Sequence, residues 1–118
     1  MGQSFKELVV WQRAVQLSLA IYELTGSFPG SERFGLTNQM RRAAVSVASN
    51  IAEGYGRSSR GEYVQFLGHA RGSNCELQTQ LTISNALGFG TGESHSKAES
   101  LSGEVNKTLV AVMSKLKR

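Results

Sequence analysis

The sequence predicts an all-α fold, an antiparallel up-down-up-down four-helix bundle, and three observations carry that prediction. Apolar residues recur at three- and four-residue intervals in four separate stretches, the spacing of a helix face. Glycine-containing breaks at 28–30, 54–58 and 88–92 divide those stretches. Among 118 residues there is one proline, Pro29, and all nine acidic residues are glutamate, so little in the chain opposes helix. Strand alternation and internal repeats of solenoid length are both missing from the pattern. The length fits a single domain over 1–118, with helices at about 5–27, 36–55, 60–87 and 96–117, joined by loops short enough for antiparallel neighbours.

The first helix has a capping-box start, Ser4 with Glu7. Two apolar stripes run along it, one of Leu8, Trp11, Val15, Leu19 and Tyr22, the other of Val10, Ala14, Leu17, Ile21 and Leu24. A surface helix needs only one such stripe to reach its core. A surplus stripe must meet either a thick core or another copy of the chain; the copy is the favoured reading, with Trp11, Val15, Leu19 and Tyr22 as the candidate oligomer interface. Phe28-Pro29-Gly30 ends this helix. In the second helix Leu36, Met40, Ala43, Val47 and Ile51 point inward, with Ala44 and Ala48 allowing close approach by a neighbour. Its opposite side carries Arg42, Ser46, Ser49, Asn50, Glu53 and Arg57. The third helix opens on the capping box Ser59 and Glu62. It buries Tyr63, Phe66, Leu67, Ala70, Asn74, Leu77 and Leu81, and Gly68 and Gly72 are expected to mark close packing. The fourth opens on Ser96 and Glu99 and buries Leu101, Val105, Leu109, Val112 and Leu116. Lys115, Lys117 and Arg118 then complement its C-terminal dipole.

The net charge of +4 has an uneven origin. Between Arg33 and Arg71 lie six arginines against Glu53 and Glu62, which accounts for all of it; the remaining seven cations and seven glutamates cancel. No lysine falls in that segment. Arginine presents a planar fork suited to bidentate contact with carboxylate or phosphate, so fixed cationic contacts are expected here. In one reading Arg41, Arg42 and Arg71 pair with Glu53, Glu62 and Glu76 across helices or subunits. In another, Arg42, Arg57 and Arg60 gather where the second helix meets the third and bind RNA or DNA phosphates, with Tyr55 and Tyr63 beside them. A solvated face is the third.

Enzyme signatures are missing. Gly54-Tyr55-Gly56 follows a helix and lacks the third glycine of a dinucleotide fingerprint. His69 and His95 have no zinc-ligand spacing around them, and there is no Glu-x-x-His pair for a di-metal bundle. No catalytic residue, metal or cofactor is expected. Cys75 reads as a small buried residue of a reducing compartment. With no apolar run of membrane-spanning length, no secretory layout at Met1–Lys6, and Lys6 where a myristoylation signal needs Ser or Thr, a cytoplasmic location is expected.

Several linked motifs stand in order: Phe5-Lys6-Glu7-Leu8-Val9-Val10-Trp11-Gln12, Tyr22-Glu23-Leu24-Thr25 with Phe28-Pro29, Gln39 to Ser46, Asn50-Ile51-Ala52-Glu53-Gly54, and Gly72-Ser73 with Glu76-Leu77. Together they resemble the four-helix-bundle family called after proteins encoded in intervening sequences of 23S ribosomal RNA. The likeness covers nearly the first ninety residues, and the last helix is generic. Ala48-Ser49 stands where many relatives carry Pro-Ala. The resemblance implies an antiparallel bundle that assembles as a homo-oligomeric ring of five, and it implies no defined chemistry. A similar fold, the accessory variability determinant of diversity-generating retroelements, serves reverse transcriptases and meets nucleic acid. By that resemblance Arg41, Arg42, Asn50, Glu53, Arg57, Ser73 and Glu76 match the family pattern and, with Arg71, make a polar network within or between subunits. The alternative function is a structural or adaptor oligomer with a protein partner.

Overall fold

The computed structural model describes residues 4–117. Met1–Gln3 and Arg118, and the expectations that fall on them, lie outside the described residues. Four helices, α1 (Val9–Thr25), α2 (Leu36–Tyr55), α3 (Arg60–Ala86) and α4 (Gly92–Leu116), form a rod of 46 × 22 × 21 Å; short 3-10 turns lie at Phe5–Glu7 and Gly30–Glu32. Each helix packs on its neighbours in sequence and α1 closes on α4, while the diagonal pairs stay apart. Cross-helix contacts run in opposite senses along the chain: Arg13 pairs with Glu104 and Glu23 with Lys97, and Gly54 meets Phe66 while Ser46 meets Ser73. The bundle is therefore antiparallel throughout. Among the described residues there is no strand, and no helix is long and apolar enough to cross a membrane.

The core comes from one stripe of each helix. Val10, Ala14, Leu17, Ile21 and Leu24 of α1 are buried, and so are Met40, Ala43, Ala44, Val47 and Ile51 of α2. Leu67, Ala70, Leu77 and Leu81 of α3 and Ala98, Val105 and Leu109 of α4 are buried against them, with Ala20 of α1 and Phe28 of the first loop. Leu36, Tyr63, Phe66, Leu101, Val112 and Leu116 lie half-buried at its margins.

Hydrogen bonds cross this core at one level. The Asn74 side chain is fully buried; its Nδ2 donates to the Ser102 carbonyl at 3.0 Å, and the Ser102 hydroxyl donates to Asn74 Oδ1 at 2.7 Å. The Ser46 and Ser73 hydroxyls meet at 2.9 Å, and the Ser18 hydroxyl donates to the Ala44 carbonyl at 3.0 Å. Ser18, Ser46, Ser73 and Ser102 all stand near the middle of their helices. They form a polar belt round the waist of the rod.

Helix ends depart from expectation in two places. Ser4 accepts from the amide of Lys6, not of Glu7, and closes a 3-10 turn. Leu8 is extended (φ −72°, ψ 125°), so the α-helix starts only at Val9. The α4 helix starts at Gly92, a turn ahead of Ser96, because Thr91 accepts from the Ser94 amide at 3.1 Å. Ser96 and Glu99 are exposed positions inside the helix. At α3 the Ser59 cap forms as expected, accepting from the Glu62 amide at 3.1 Å.

Glycine marks close packing elsewhere than expected. A side chain at Gly72 would meet nothing within 4 Å, and one at Gly68 only the tip of Met113 at 3.9 Å. The tight crossing is Gly54, where a Cβ would stand 2.7 Å from Phe66 Cβ and 3.1 Å from the Tyr63 ring. In the α3–α4 loop, Gly90 has φ +76° and passes so close to Leu24 that a Cβ would lie 2.5 Å from its methyl. Cys75 is exposed, contrary to the buried reading. Asn74 points inward, and the next helical residue is rotated about 100° away from it.

Two stability outcomes follow. Gly54→Ala forces α2 and α3 apart and costs about 1–3 kcal/mol despite alanine's better helix propensity. Asn74→Ala leaves buried Ser102 groups without partners and costs about 1–3 kcal/mol, and a double-mutant cycle with Ser102→Ala shows coupling above about 0.5 kcal/mol. Urea unfolding at one fixed protomer concentration measures both. A neutral Gly54→Ala, or additive losses at Asn74 and Ser102, would contradict this packing.

Candidate functional site

Helix α1 turns its second apolar stripe toward solvent along its seam with α2. Leu8, Trp11 and Val15 are half-buried; Leu19 and Tyr22 are 65% and 47% exposed. Val45 of α2, 44% exposed, stands beside them, and sequence reasoning did not single it out. Trp11, Val15, Leu19, Val45 and Ala48 line a shallow, almost entirely apolar cleft of about 310 Å³. Phe5 braces its far end, its ring packing edge-on against Trp11 with centroids 5.3 Å apart.

The stripe runs into a polar surface at Tyr22. The Arg41 guanidinium lies 4.5 Å from the centre of the Tyr22 ring, and its Nε donates to Thr25 Oγ1 at 2.8 Å. That is a fixed cation, held by an aromatic face and a hydroxyl. Tyr22, Asn38, Arg41, Arg42, Val45 and Ser46 line a cleft of about 510 Å³ there. Arg42 also reaches the seam of α2 with α3, where it shares a cleft of about 290 Å³ with Gln39, Ser46, Ser73 and Glu76.

The expected polar network is realised in part. Asn50 Nδ2 donates to the Ser46 carbonyl at 2.8 Å and to its hydroxyl at 3.0 Å, and Ser46 joins Ser73. Glu76 accepts from Gln80 at 3.3 Å. Arg57 pairs with Glu53 at 3.1 Å and lies 4.6 Å from the centre of the Phe66 ring. The pairing of Arg41, Arg42 and Arg71 with Glu53, Glu62 and Glu76 does not form within the protomer. Arg42 and Arg71 are exposed and have no carboxylate partner among the described residues, and Glu62 turns instead to the hydroxyls of Ser58 and Ser59.

Arg42, Arg57 and Arg60 do not gather at one place. Arg57 and Arg60 flank the α2–α3 loop, whereas Arg42 lies in the second turn of α2. Fifteen residues at 1.5 Å rise set Arg42 about 22 Å from Arg57. Near that loop Tyr55 and Tyr63 stack edge-on with centroids 5.9 Å apart. Burial, then the neighbouring Tyr55, pushes the Tyr63 phenol pKa up. Tyr63 is thus a packing residue, half inside the bundle.

The histidines are apart. His69 is exposed on α3, edge-on to Phe66. His95 is buried in the first turns of α4, its Nε2 2.8 Å from the Phe89 carbonyl, so this nitrogen carries the proton and ties the α3–α4 loop down. Among the described residues no three His, Cys, Asp or Glu side chains are placed together to hold a metal ion.

Comparison with known proteins agrees with this architecture. A solved structure from Bacteroides thetaiotaomicron, described as a protein with unknown function from the S23 ribosomal protein family, superposes with a TM-score of 0.79 at 22% identity. The match covers 89% of this chain and 98% of that one, so the two share a fold. No curated protein matches the chain. The profile of the 23S rRNA-intervening sequence protein family matches residues 6–111, nearly the whole of the bundle. The chain belongs to the 23S rRNA-intervening sequence protein family.

Proposed function

We propose that the protein is a cytoplasmic, self-associating helical module that binds RNA or DNA through backbone phosphates, with no catalytic residue and no cofactor of its own. One observation carries the nucleic-acid part: Arg33, Arg42 and Arg71, drawn from the segment that holds the whole net charge, are exposed without a carboxylate partner among the described residues. Unneutralised guanidinium groups displace counterions from a polyanion and supply affinity that is independent of sequence. Arg57 and Arg60 belong to the same basic segment. Self-association rests on the Trp11–Val15–Leu19–Tyr22 stripe, where apolar side chains stay in water with Val45 alongside. A homopentameric ring is the stoichiometry that the family resemblance implies.

Size-exclusion chromatography with light scattering tests the assembly. The wild type should run as a multiple of the 12.8 kDa protomer, and Leu19→Glu, at a mostly exposed position, should return it to one protomer with unchanged helical circular dichroism. A wild type at 12.8 kDa would sink the assembly. Fluorescence anisotropy on a labelled single-stranded RNA tests the ligand. If about five phosphates are contacted, affinity falls about 100-fold between roughly 0.05 and 0.2 M salt. No binding at the lower salt would leave an oligomer with a protein partner as the surviving function.

A further inference from the structure

The polar belt divides the rod into halves of unequal charge. Residues 4–17, 46–73 and 104–117 make the half that holds the α2–α3 loop and the C-terminus of α4. It carries eight lysines and arginines against four glutamates. Residues 18–45 and 74–103, the half with the other two loops, carry four against five. All of the described excess charge is thus on one half, although the sequence places it in the middle of the chain. The antiparallel bundle places Arg57, Arg60 and Arg71 in the same half as Lys107 and Lys115 of α4 and Lys117 just past its end, residues about fifty positions apart in the chain.

Within that half one cleft stands out. Arg71 of α3, Val110, Met113 and Ser114 of α4, and Lys117 at its C-cap line about 220 Å³. Both cations are exposed, and among the described residues neither has an ion-pair partner and no carboxylate lines the cleft. Gly68, one turn before Arg71, carries no side chain to fill the seam, and Met113 is the nearest group to its face. Val110 remains 41% exposed. Two cations beside an apolar wall suit a phosphate joined to a flat apolar group.

We propose that this α3–α4 cleft, centred on Arg71 and Lys117, is where the protein takes the backbone of a single-stranded nucleic acid. The phosphate lies between the two cations, and the base or sugar lies against Val110 and Met113. A single strand fits better than a duplex, because a duplex keeps its base faces stacked inside and has nothing to offer the apolar wall. The inference rests on the phosphate-binding function proposed above and moves its centre from Arg42 to the opposite half of the rod.

The test is fluorescence anisotropy with a labelled 20-nucleotide RNA, the same DNA strand and its duplex. It compares wild type, R71Q/K117Q and R33Q/R42Q, all four positions being exposed, with circular dichroism as the folding control. In R71Q/K117Q the slope of log affinity against log salt should fall by about 1.4, two contacts at about 0.7 each, which is about 25-fold at 0.1 M salt. R33Q/R42Q, at the margin of the footprint, should lose affinity too but by less than about fivefold, and the duplex should bind more weakly than either strand. R71Q/K117Q within twofold of wild type, equal losses in both double variants, or tighter duplex binding would overturn the cleft while leaving phosphate binding intact. A wild type that binds none of the three at low salt would instead overturn the phosphate-binding function itself.

Discussion

The buried Asn74–Ser102 pair is the contact on which the rest of this bundle depends. Leucine, isoleucine and valine fill space between helices but set their relative height weakly, since a slip of one turn, about 5.4 Å, returns a similar surface. A buried carboxamide that must find a hydroxyl and a carbonyl does not tolerate such a slip, because each lost partner leaves a desolvated polar group. Asn74 fixes α3 against α4 in this way. Ser46 with Ser73 and Ser18 with Ala44 extend the belt through α2 to α1. The remaining seam, α1 with α4, has its ion pairs on the surface, at Arg13 with Glu104 and Glu23 with Lys97. Exposed pairs of that kind contribute little.

Register has a functional consequence. With the helices held at these heights, Arg71 of α3 stands beside the C-terminal turns of α4, and the α2–α3 loop lies at the same end of the rod. Charge that is dispersed along the chain becomes a basic half and a nearly neutral half. The apolar stripe of α1 runs along the length of the seam with α2 and is separate from the α3–α4 cleft. Under the proposed function, one surface would join copies while another meets a polyanion, and neither need cover the other.

Much of this was legible in the sequence. The bounds of α2 and α3 followed from glycine-rich breaks and from Ser59 with Glu62, and the two apolar stripes of α1 followed from spacing, although spacing alone did not decide which of them is buried. Asn74 was placed inward by phase alone. The helix starts at Ser4 and Ser96 were misread because Ser-x-x-Glu spacing is common. Only geometry decides whether the hydroxyl meets the third amide, and Thr91 offers the same chemistry a turn earlier. Cys75 was judged by residue type when helical phase decided against burial. Ser18, Ser46, Ser73 and Ser102 were invisible as a belt, since serine suits surface and interior alike. The arginine cluster failed for a related reason: closeness in sequence is not closeness along a helix, and about 22 Å separates Arg42 from Arg57.

Ultraviolet crosslinking of the wild-type protein to single-stranded RNA, followed by mass-spectrometric mapping of the crosslinked peptides, tests the central claim without altering any residue. A bundle registered by its waist should crosslink through peptides from the basic half, residues 57–71 and 107–117. Crosslinks confined to residues 33–46, on the far side of the belt, would contradict it.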